Sequence, residues 1–225
     1  MTTLNEPAVS AQQLSAQILA TIFGEAAQNF DMTQGTVIGN TDVRVIYLST
    51  DIIHAIYNTL TYEAGSAWAL ILKNCGLVWG KRVCASLEKE LQAVGHQSLG
   101  GLCVDSYIDL LEVYFANHGW GKMRFSLDDA QSHGVVRASL TNSLFAHTLA
   151  EVFEPVDYMI AGMLQSIFSE ISGQDLQCLQ ISYGYAGKST SEFIISGAAR
   201  ISALEQLKIQ DMSPNEALDR LKITQ

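Results

Sequence analysis

One tetrapeptide has the residue types of a phosphate-binding loop. Gly187, Lys188, Ser189 and Thr190 follow an apolar, strand-like run, as in a P-loop. The full motif, G-x-x-x-x-G-K-[ST], requires a glycine at position 182, where this chain has Ser182. The residues after Thr190 continue as a strand, whereas phosphate binding needs a helix whose N-terminus faces the anion. The sequence therefore argues against a nucleotide site.

Acidic and histidine side chains were considered for acid–base catalysis and metal binding. Glu151 and Glu154 lie three residues apart next to Asp157, but acidic residues at the start of a helix also favour the helix dipole. No G-x-S-x-G nucleophile motif is present. We therefore assign no catalytic residue and favour a non-enzymatic protein. The histidines lack the spacing of metal ligands, so no metal site is predicted at His54, His96, His118, His133 and His147.

The aromatic residues offer a different chemistry, the binding of a flat hydrophobic ligand. Several of them lie beside glycines, where the backbone can approach a ligand closely. They are Trp68, Trp79, Trp120, Tyr183 and Tyr185. Packing in the core explains the same residues, and the sequence leaves both interpretations open.

The cysteines show no pattern of a disulfide framework or of a zinc site. They are widely spaced, with no C-x-x-C pair, at Cys75, Cys84, Cys103 and Cys178. We expect reduced thiols in the core or in pocket walls, with a reactive or acylated thiol as the alternative. Reduced thiols and the lack of a secretory signal indicate a cytoplasmic protein.

Length and charge limit the classes of partner. A chain of 225 residues with 48% hydrophobic residues can bury a sizeable core as one domain, or one domain plus an arm. Its formal net charge is −10, and its 13 basic residues do not cluster, which argues against a nucleic-acid partner. No apolar run reaches the roughly 18 residues of a membrane span, so we predict no transmembrane segment.

In the first half of the chain, helical patterns dominate. Residues 11–30 form an apolar stripe typical of an amphipathic helix. It would dock on its own domain or on a second copy; a membrane-surface helix is the alternative. Residues 31–41 read as a linker and 42–48 as a strand. A helix follows from Asp51, and Gly65 interrupts its pattern, which resumes at Trp68. Gly76 and Gly80 bracket the next three residues, and a second amphipathic run follows at 83–94.

The second half predicts an antiparallel sheet and helices. A helix is expected at 106–117, a hairpin at 123–140, and a long helix from Pro155 to a glycine cap at Gly173. Strands at 176–181 and 192–195 and a helix at 198–207 follow. This order predicts an α+β fold with a mostly antiparallel sheet packed against helices. We divide the chain into an N-terminal helix and linker (1–40), a ligand-binding domain (41–200) and a C-terminal helical tail (201–225).

Six segments together resemble the 4-vinyl-reductase domain family. The likeness covers about residues 42–200 and depends on the order and spacing of the segments. They are Arg44-Val-Ile-Tyr47, Tyr62-Glu-Ala-Gly65, Gly76-Leu-Val-Trp-Gly80, Gly119-Trp-Gly121, Thr141-Asn-Ser143 and the block 155–193.

The resemblance implies a compact ligand-binding domain related in fold to the small subunits of vesicle-tethering (TRAPP) complexes. Relatives include a protein of bacteriochlorophyll synthesis and the sensory domains of aromatic-responsive bacterial activators. Such domains look like small-molecule binders or carriers, commonly dimeric, without a redox cofactor motif. A tethering-type relative would hold an acyl chain in an apolar tunnel, near Cys75 or Cys84 here. Cys75 therefore joins the aromatic residues as a candidate ligand contact.

This chain departs from the family at the metal site. Many relatives have Pro-Val-Cys at the helix start and E-x-x-C-x-[AS]-x-G-x-x-x-C-x-F later, which together supply thiolates and a carboxylate. The matching positions here are Asp157, Gln180, Tyr183 and Ser191, none of which is a thiolate. We therefore expect no zinc. Hydrogen bonds among Asp157, Tyr183 and Ser191 would replace the metal as a structural link, and an unchanged melting temperature in Asp157→Ala would contradict this.

The leading functional hypothesis is a non-enzymatic carrier for a hydrophobic, planar ligand. The ligand would be a tetrapyrrole, such as a chlorophyll precursor or a bilin, and the protein would act in pigment handling or photosystem assembly. It would work as a homodimer, with photosynthetic assembly proteins as partners, at the periphery of a photosynthetic membrane. The alternative is a dimeric assembly scaffold with a vestigial pocket. A vinyl reductase ranks third because no nicotinamide or flavin motif is visible.

Overall fold

Helices and short antiparallel sheets alternate along the chain. The computed structural model describes residues 19–20, 22–24, 28–39, 44–93, 95, 98–182, 190–206 and 214–223. The strands are β1 (Gln28–Asp31), β2 (Thr36–Gly39), β3 (Arg44–Val45), β4 (Lys122–Ser126), β5 (Val136–Thr141), β6 (Leu176–Ser182) and β7 (Thr190–Gly197). The helices are α1 (Thr50–Ala64), α2 (Trp68–Ala93), α3 (Val104–Asn117), α4 (Ala130–His133), α5 (Leu144–Thr148), α6 (Tyr158–Ser172), α7 (Ala198–Glu205) and α8 (Pro214–Ile223). The predicted α+β class is confirmed.

The main sheet has four antiparallel strands in the order β4-β5-β7-β6. Side chains alternate between its faces, as the period of two requires. Cys178, Phe193 and Ile195 belong to the large core that α2, α3 and α6 share. Ile181 and Ile194 face the other way, into a second core with the C-terminal helices α7 and α8. The sheet is therefore covered by helices on both faces.

Helices α2 and α6 pack with almost no side chain between them. A Cβ added at Gly76 would lie 2.0 Å from the carbonyl oxygen of Met159, and one added at Gly162 would lie 2.0 Å from that of Lys73. Only glycine permits this approach of two backbones. Ser166 lies against Gly80 in the same way.

The second amphipathic run predicted at 83–94 is not a separate helix but the second half of α2. α2 is continuous for 26 residues, because the packing against α6 outweighs the low helix propensity of Gly76 and Gly80. Gly173 does cap α6 in the left-handed conformation (φ 63°), as predicted, but the helix begins at Tyr158, three residues after Pro155. Within the described residues, none of the helices, α2 included, is long and apolar enough to cross a membrane.

The N-terminal prediction was also partly wrong. Residues 19–20 and 22–23 are helical, and Ile22 is buried in the large core. Residues 28–31, however, form β1, and part of the predicted linker forms β2. The turn between them is stabilised locally, because the Asp31 carboxylate accepts hydrogen bonds from the backbone of Thr33 and Gln34. Residues 11–18 of the predicted helix lie outside the described part of the chain.

The three-stranded sheet β1-β2-β3 crosses the domain boundary that the sequence suggested at residue 40. Its side chains are more exposed than those of the main sheet. Phe30 stacks on Tyr47 with ring centroids 5.9 Å apart, and both rings are more than half exposed. This small sheet therefore presents an apolar surface.

Candidate functional site

Three of the four positions predicted to replace a metal site, Asp157, Gln180 and Ser191, meet in the core. Asp157 precedes α6 and is completely buried. Ser191 on β7 and Gln180 on β6 reach it from the sheet, and Ser143 reaches it from the start of α5. We call these four residues the Asp157 cluster. Tyr183, the remaining position of the predicted set, lies outside the described residues.

Hydrogen bonds saturate the Asp157 carboxyl group. Ser191 Oγ and Gln180 Nε2 donate to Oδ2 at 2.5 and 3.2 Å, and Ser143 Oγ donates to Oδ1. The Asp157 backbone N–H donates to Gln180 Oε1 at 3.1 Å, so the pair is joined in both directions. Ser143 also accepts from the backbone N–H of Ala146 and thereby caps α5. The cluster ties two strands to the starts of two helices.

Burial and hydrogen bonding act in opposite directions on the Asp157 pKa. Burial raises it, because a charge inside the protein lacks solvation, and the hydrogen bonds from Ser143, Ser191 and Gln180 lower it by a smaller amount. The net effect is a raised pKa. Among the described residues there is no group of three or more His, Cys, Asp or Glu side chains able to hold a metal ion. The cluster's own chemistry is that of a structural link.

The aromatic residues proposed as ligand contacts do not share one site. Trp68 is buried and contacts Tyr57 and Tyr158 edge-on, with centroids 5.0 and 5.2 Å away. Trp79 lies eleven residues further along α2, a distance of about 16 Å at 1.5 Å per residue. It packs on Trp120 with centroids 4.7 Å apart. Tyr185, like Tyr183, lies outside the described residues.

The two cysteines proposed near an acyl tunnel have opposite environments. Cys75 is exposed on α2, whereas Cys84 is buried. Burial raises the pKa of Cys84 to about 11, so its thiol stays protonated near neutral pH and is a poor nucleophile. Neither position combines an apolar enclosure with a reactive thiolate.

Trp120 has an unsatisfied polar group. Its ring contacts Trp79 on one side and stacks near Phe145, with a centroid distance of 6.0 Å. Its indole Nε1–H is buried and has no hydrogen-bond partner among the described residues. Buried donors are nearly always paired in proteins, so this one marks a place where a partner is missing.

A groove of about 1000 Å³ lies over the turn that carries Trp120. Its walls are the outer face of α3, the first half of β4, the turn at 118–121 and the N-terminal helical segment. The lining residues are Leu19, Phe23, Asp109, Glu112, Val113, Ala116, Asn117, Gly119, Gly121, Lys122, Arg124 and Asn142. The N-terminal segment is held there because Phe23 packs edge-on against Tyr114 of α3.

The backbone at one end of the groove is held in unusual conformations. Gly119, Gly121 and Asn142 all have positive φ angles, of 72°, 125° and 56°. A Cβ at Gly121 would lie 2.8 Å from the Thr141 carbonyl oxygen and 2.8 Å from a Leu140 methyl group. Glycine adopts positive φ angles at little cost, and asparagine is one of the few other residues that enters the left-handed region readily. These conformations let Trp120 turn inward while its two neighbouring glycines face the groove.

Some charged side chains along the groove form ion pairs or hydrogen bonds with described residues, and others do not. Glu112 pairs with Arg124 and also accepts a hydrogen bond from the Phe125 backbone N–H at 3.2 Å. No ion pair or hydrogen bond between described residues involves the Lys122 amine or the Asp109 carboxylate. Two opposite charges in the groove therefore have no partner in the described part of the chain.

Sequence reasoning missed Ser143 and the whole groove. Ser143 and the glycines at 119 and 121 were noted only as parts of a family pattern. The outer face of α3 could have been found from the spacing of Asp109, Glu112, Val113 and Ala116, which mixes charged and small apolar residues at i, i+3, i+4 and i+7.

Comparison with known proteins gives a structural match without a sequence match. No protein-family model matches the chain, and no curated protein does. Among solved structures, it is similar to the crystal structure of the phenol-responsive sensory domain of the transcription activator PoxR with phenol. The TM-score is 0.63 and the sequence identity 16%, and the match covers 92% of this chain and 96% of the other. At this identity the likeness shows the fold.

Proposed function

We propose that this protein binds a hydrophobic small molecule with a planar ring system, and that the groove over the Trp120 turn is the binding site. The observation that carries the proposal is the groove itself, which combines apolar walls, a turn of positive-φ residues and two charged side chains that have no partner among the described residues. Its volume of about 1000 Å³ suits a large ligand, since pockets for drug-sized molecules span roughly 300–1000 Å³.

The fold supports a role in binding. The similar PoxR domain is phenol-responsive and was crystallised with phenol. Leu19, Phe23, Val113 and Ala116 give the groove an apolar floor and rim suited to a ring. The aromatic pair Trp79–Trp120 lies behind the turn, where a bound ligand would alter its environment and give a measurable fluorescence change.

The specific ligand class we propose is a tetrapyrrole, such as a chlorophyll precursor or a bilin. The resemblance to the 4-vinyl-reductase domain family motivates this choice, and the size of the groove is compatible with it. The corresponding cellular role would be pigment handling or photosystem assembly. In that role the protein would be a carrier without catalytic residues.

Titration with biliverdin, followed by the absorption spectrum of the pigment, tests the proposal. We expect a shifted band, saturating at one ligand per chain. Ala116→Trp should abolish the shift by filling the groove, whereas Ala85→Trp, at an exposed alanine on α2 outside the groove, should leave it intact. An unshifted spectrum for biliverdin, protoporphyrin IX and phenol alike would refute the ligand-binding function.

The second candidate function is a homodimeric assembly scaffold. One observation favours it: residues beside the strands of the small sheet expose large apolar side chains, namely Met32 (88% exposed) after β1, and Ile46 (68%) and Tyr47 (66%) after β3. Exposed apolar surface of this kind marks association sites. Light scattering after size exclusion should give a dimer that Tyr47→Lys converts to a monomer. A monomeric wild-type protein would contradict this alternative.

A further inference from the structure

The charged residues of the groove follow a definite order. α3 and β4 run in opposite directions on either side of the Trp120 turn, and the contacts of Glu112 with Arg124 and Phe125 fix their alignment. Asp109 lies three helix residues, about 4.5 Å, from Glu112 on the side away from the turn. Lys122 lies two strand residues, about 6.6 Å, from Arg124 on the side nearer the turn. Asp109 and Lys122, which have no partner among the described residues, are thus about 11 Å apart along the groove.

The charge between them is neutralised. The Glu112 carboxylate is occupied by Arg124 and by the Phe125 N–H, so this ion pair contributes little net field at either end. Lys122 therefore sets the sign of the potential beside the turn. Gly119, Gly121 and Asn142 surround that end, and none of them carries a charge.

We propose that the ligand carries a carboxylate, and that Lys122 binds it at the turn end of the groove. This inference rests on the proposed function and names the chemical class of its ligand: a planar hydrophobic carboxylic acid. The hydrophobic body would lie along Val113, Ala116 and Phe23, with the acid group at Lys122. Ligands without an acid group, such as phenol, would lack this contact.

Paired ligands that differ only in charge test the assignment. Biliverdin and its dimethyl ester are titrated against wild type, Lys122→Gln, Lys122→Arg and the control Lys81→Gln, an exposed lysine of α2 outside the groove. We expect Lys122→Gln to weaken binding of the acid about fivefold, the upper range for an exposed ion pair. It should leave the ester unaffected. Lys122→Arg and Lys81→Gln should match wild type, and added salt should reduce the preference for the acid.

The outcomes separate this inference from the function on which it rests. Equal affinity for acid and ester in wild type, unchanged in Lys122→Gln, would overturn the carboxylate assignment while leaving binding in the groove intact. If biliverdin, its ester, protoporphyrin IX and phenol all fail to bind wild type, or if Ala116→Trp does not reduce binding, the groove is not the ligand site and both proposals fail.

Discussion

The Asp157 cluster and the groove differ in whether their polar groups have hydrogen-bond partners among the described residues. In the cluster, Ser143, Gln180 and Ser191 all donate to one buried carboxyl group, and the backbone N–H of Asp157 returns a hydrogen bond. In the groove, Lys122 lacks a partner among the described residues. Yet the two regions are neighbours in the chain, since Asn142 lines the groove and Ser143 belongs to the cluster.

The difference follows from solvent access. A buried polar atom without a partner loses its hydration and costs free energy, so a cluster in the core persists only when its hydrogen bonds are complete. An exposed ammonium group stays hydrated and can exchange water for a ligand at little cost. We therefore expect changes in the cluster to alter stability, and changes in the groove to alter affinity.

Removal of the Asp157 carboxyl group should give the largest effect. Asp157→Ala leaves two serine hydroxyls and one amide without their shared acceptor in the core. We expect the free energy of unfolding to fall by about 3 kcal/mol. Urea denaturation measures it, with Asp175→Ala, an exposed aspartate, as the control. A loss as small as in the control would show that the cluster is not a structural link.

Gly121 lies where the two regions meet and should give the next largest effect. Gly121→Ala places a Cβ against the Thr141 carbonyl oxygen at a φ of 125°, so we expect a loss of about 2 kcal/mol in unfolding free energy. Gly119→Ala is the matched control, because its φ is also positive but no atom lies within 4 Å of the added Cβ. Its loss should be about 1 kcal/mol. Equal losses would mean that close packing at Gly121 is unimportant.

The raised pKa of Asp157 predicts that this group contributes to stability in a pH-dependent way. The unfolded chain has an aspartate pKa of about 3.9, whereas burial raises it in the folded protein. The folded state then binds the proton more tightly. The stability gained from this group is complete below the unfolded pKa and is lost as the pH rises through the folded pKa.

Asp157→Asn tests this linkage because its side chain is neutral at every pH. Its unfolding free energy should improve relative to wild type as the pH rises from about 4 through the raised pKa, measured by urea denaturation at a series of pH values. Asp175→Asn should show no such trend. The opposite slope would mean that the hydrogen bonds outweigh burial and that Asp157 is held ionised.

Structural features that depend on neighbouring residues were predicted from the sequence, whereas features that depend on contacts between distant residues were not. Alternating apolar residues such as Met123 and Phe125 located strands, and Gly173 located a helix end, because these depend on local geometry. The continuity of α2 could not be predicted, since Gly76 is favoured there only by α6, more than 80 residues later in the chain. Contacts of this kind outweigh the intrinsic helix propensity of a residue.

The same distinction between local and distant contacts applies to the candidate sites. The expected resemblance to a family pattern singled out Asp157, Gln180 and Ser191, because that pattern specifies the spacing of its metal-site positions. Ser143 was missed because a serine before a short helix is explained by capping alone. The groove was missed because it is built from exposed residues on separate elements. No sequence pattern within a single element indicates that these residues face one another.

The Glu112–Arg124 pair gives the smallest expected effect and the sharpest contrast with Asp157. Its side chains are 14% and 57% exposed, so solvent reaches the pair and we expect Glu112→Gln to cost less than about 1 kcal/mol in unfolding free energy. The amide oxygen can still accept from the Phe125 N–H. Loss of the negative charge leaves Arg124 unpaired near Lys122, so biliverdin should bind about twofold more tightly at low salt, whereas its dimethyl ester should not. If Glu112→Gln instead destabilised the protein as much as Asp157→Ala, the groove would be a structural element like the cluster, and the separation of stability from binding would be wrong.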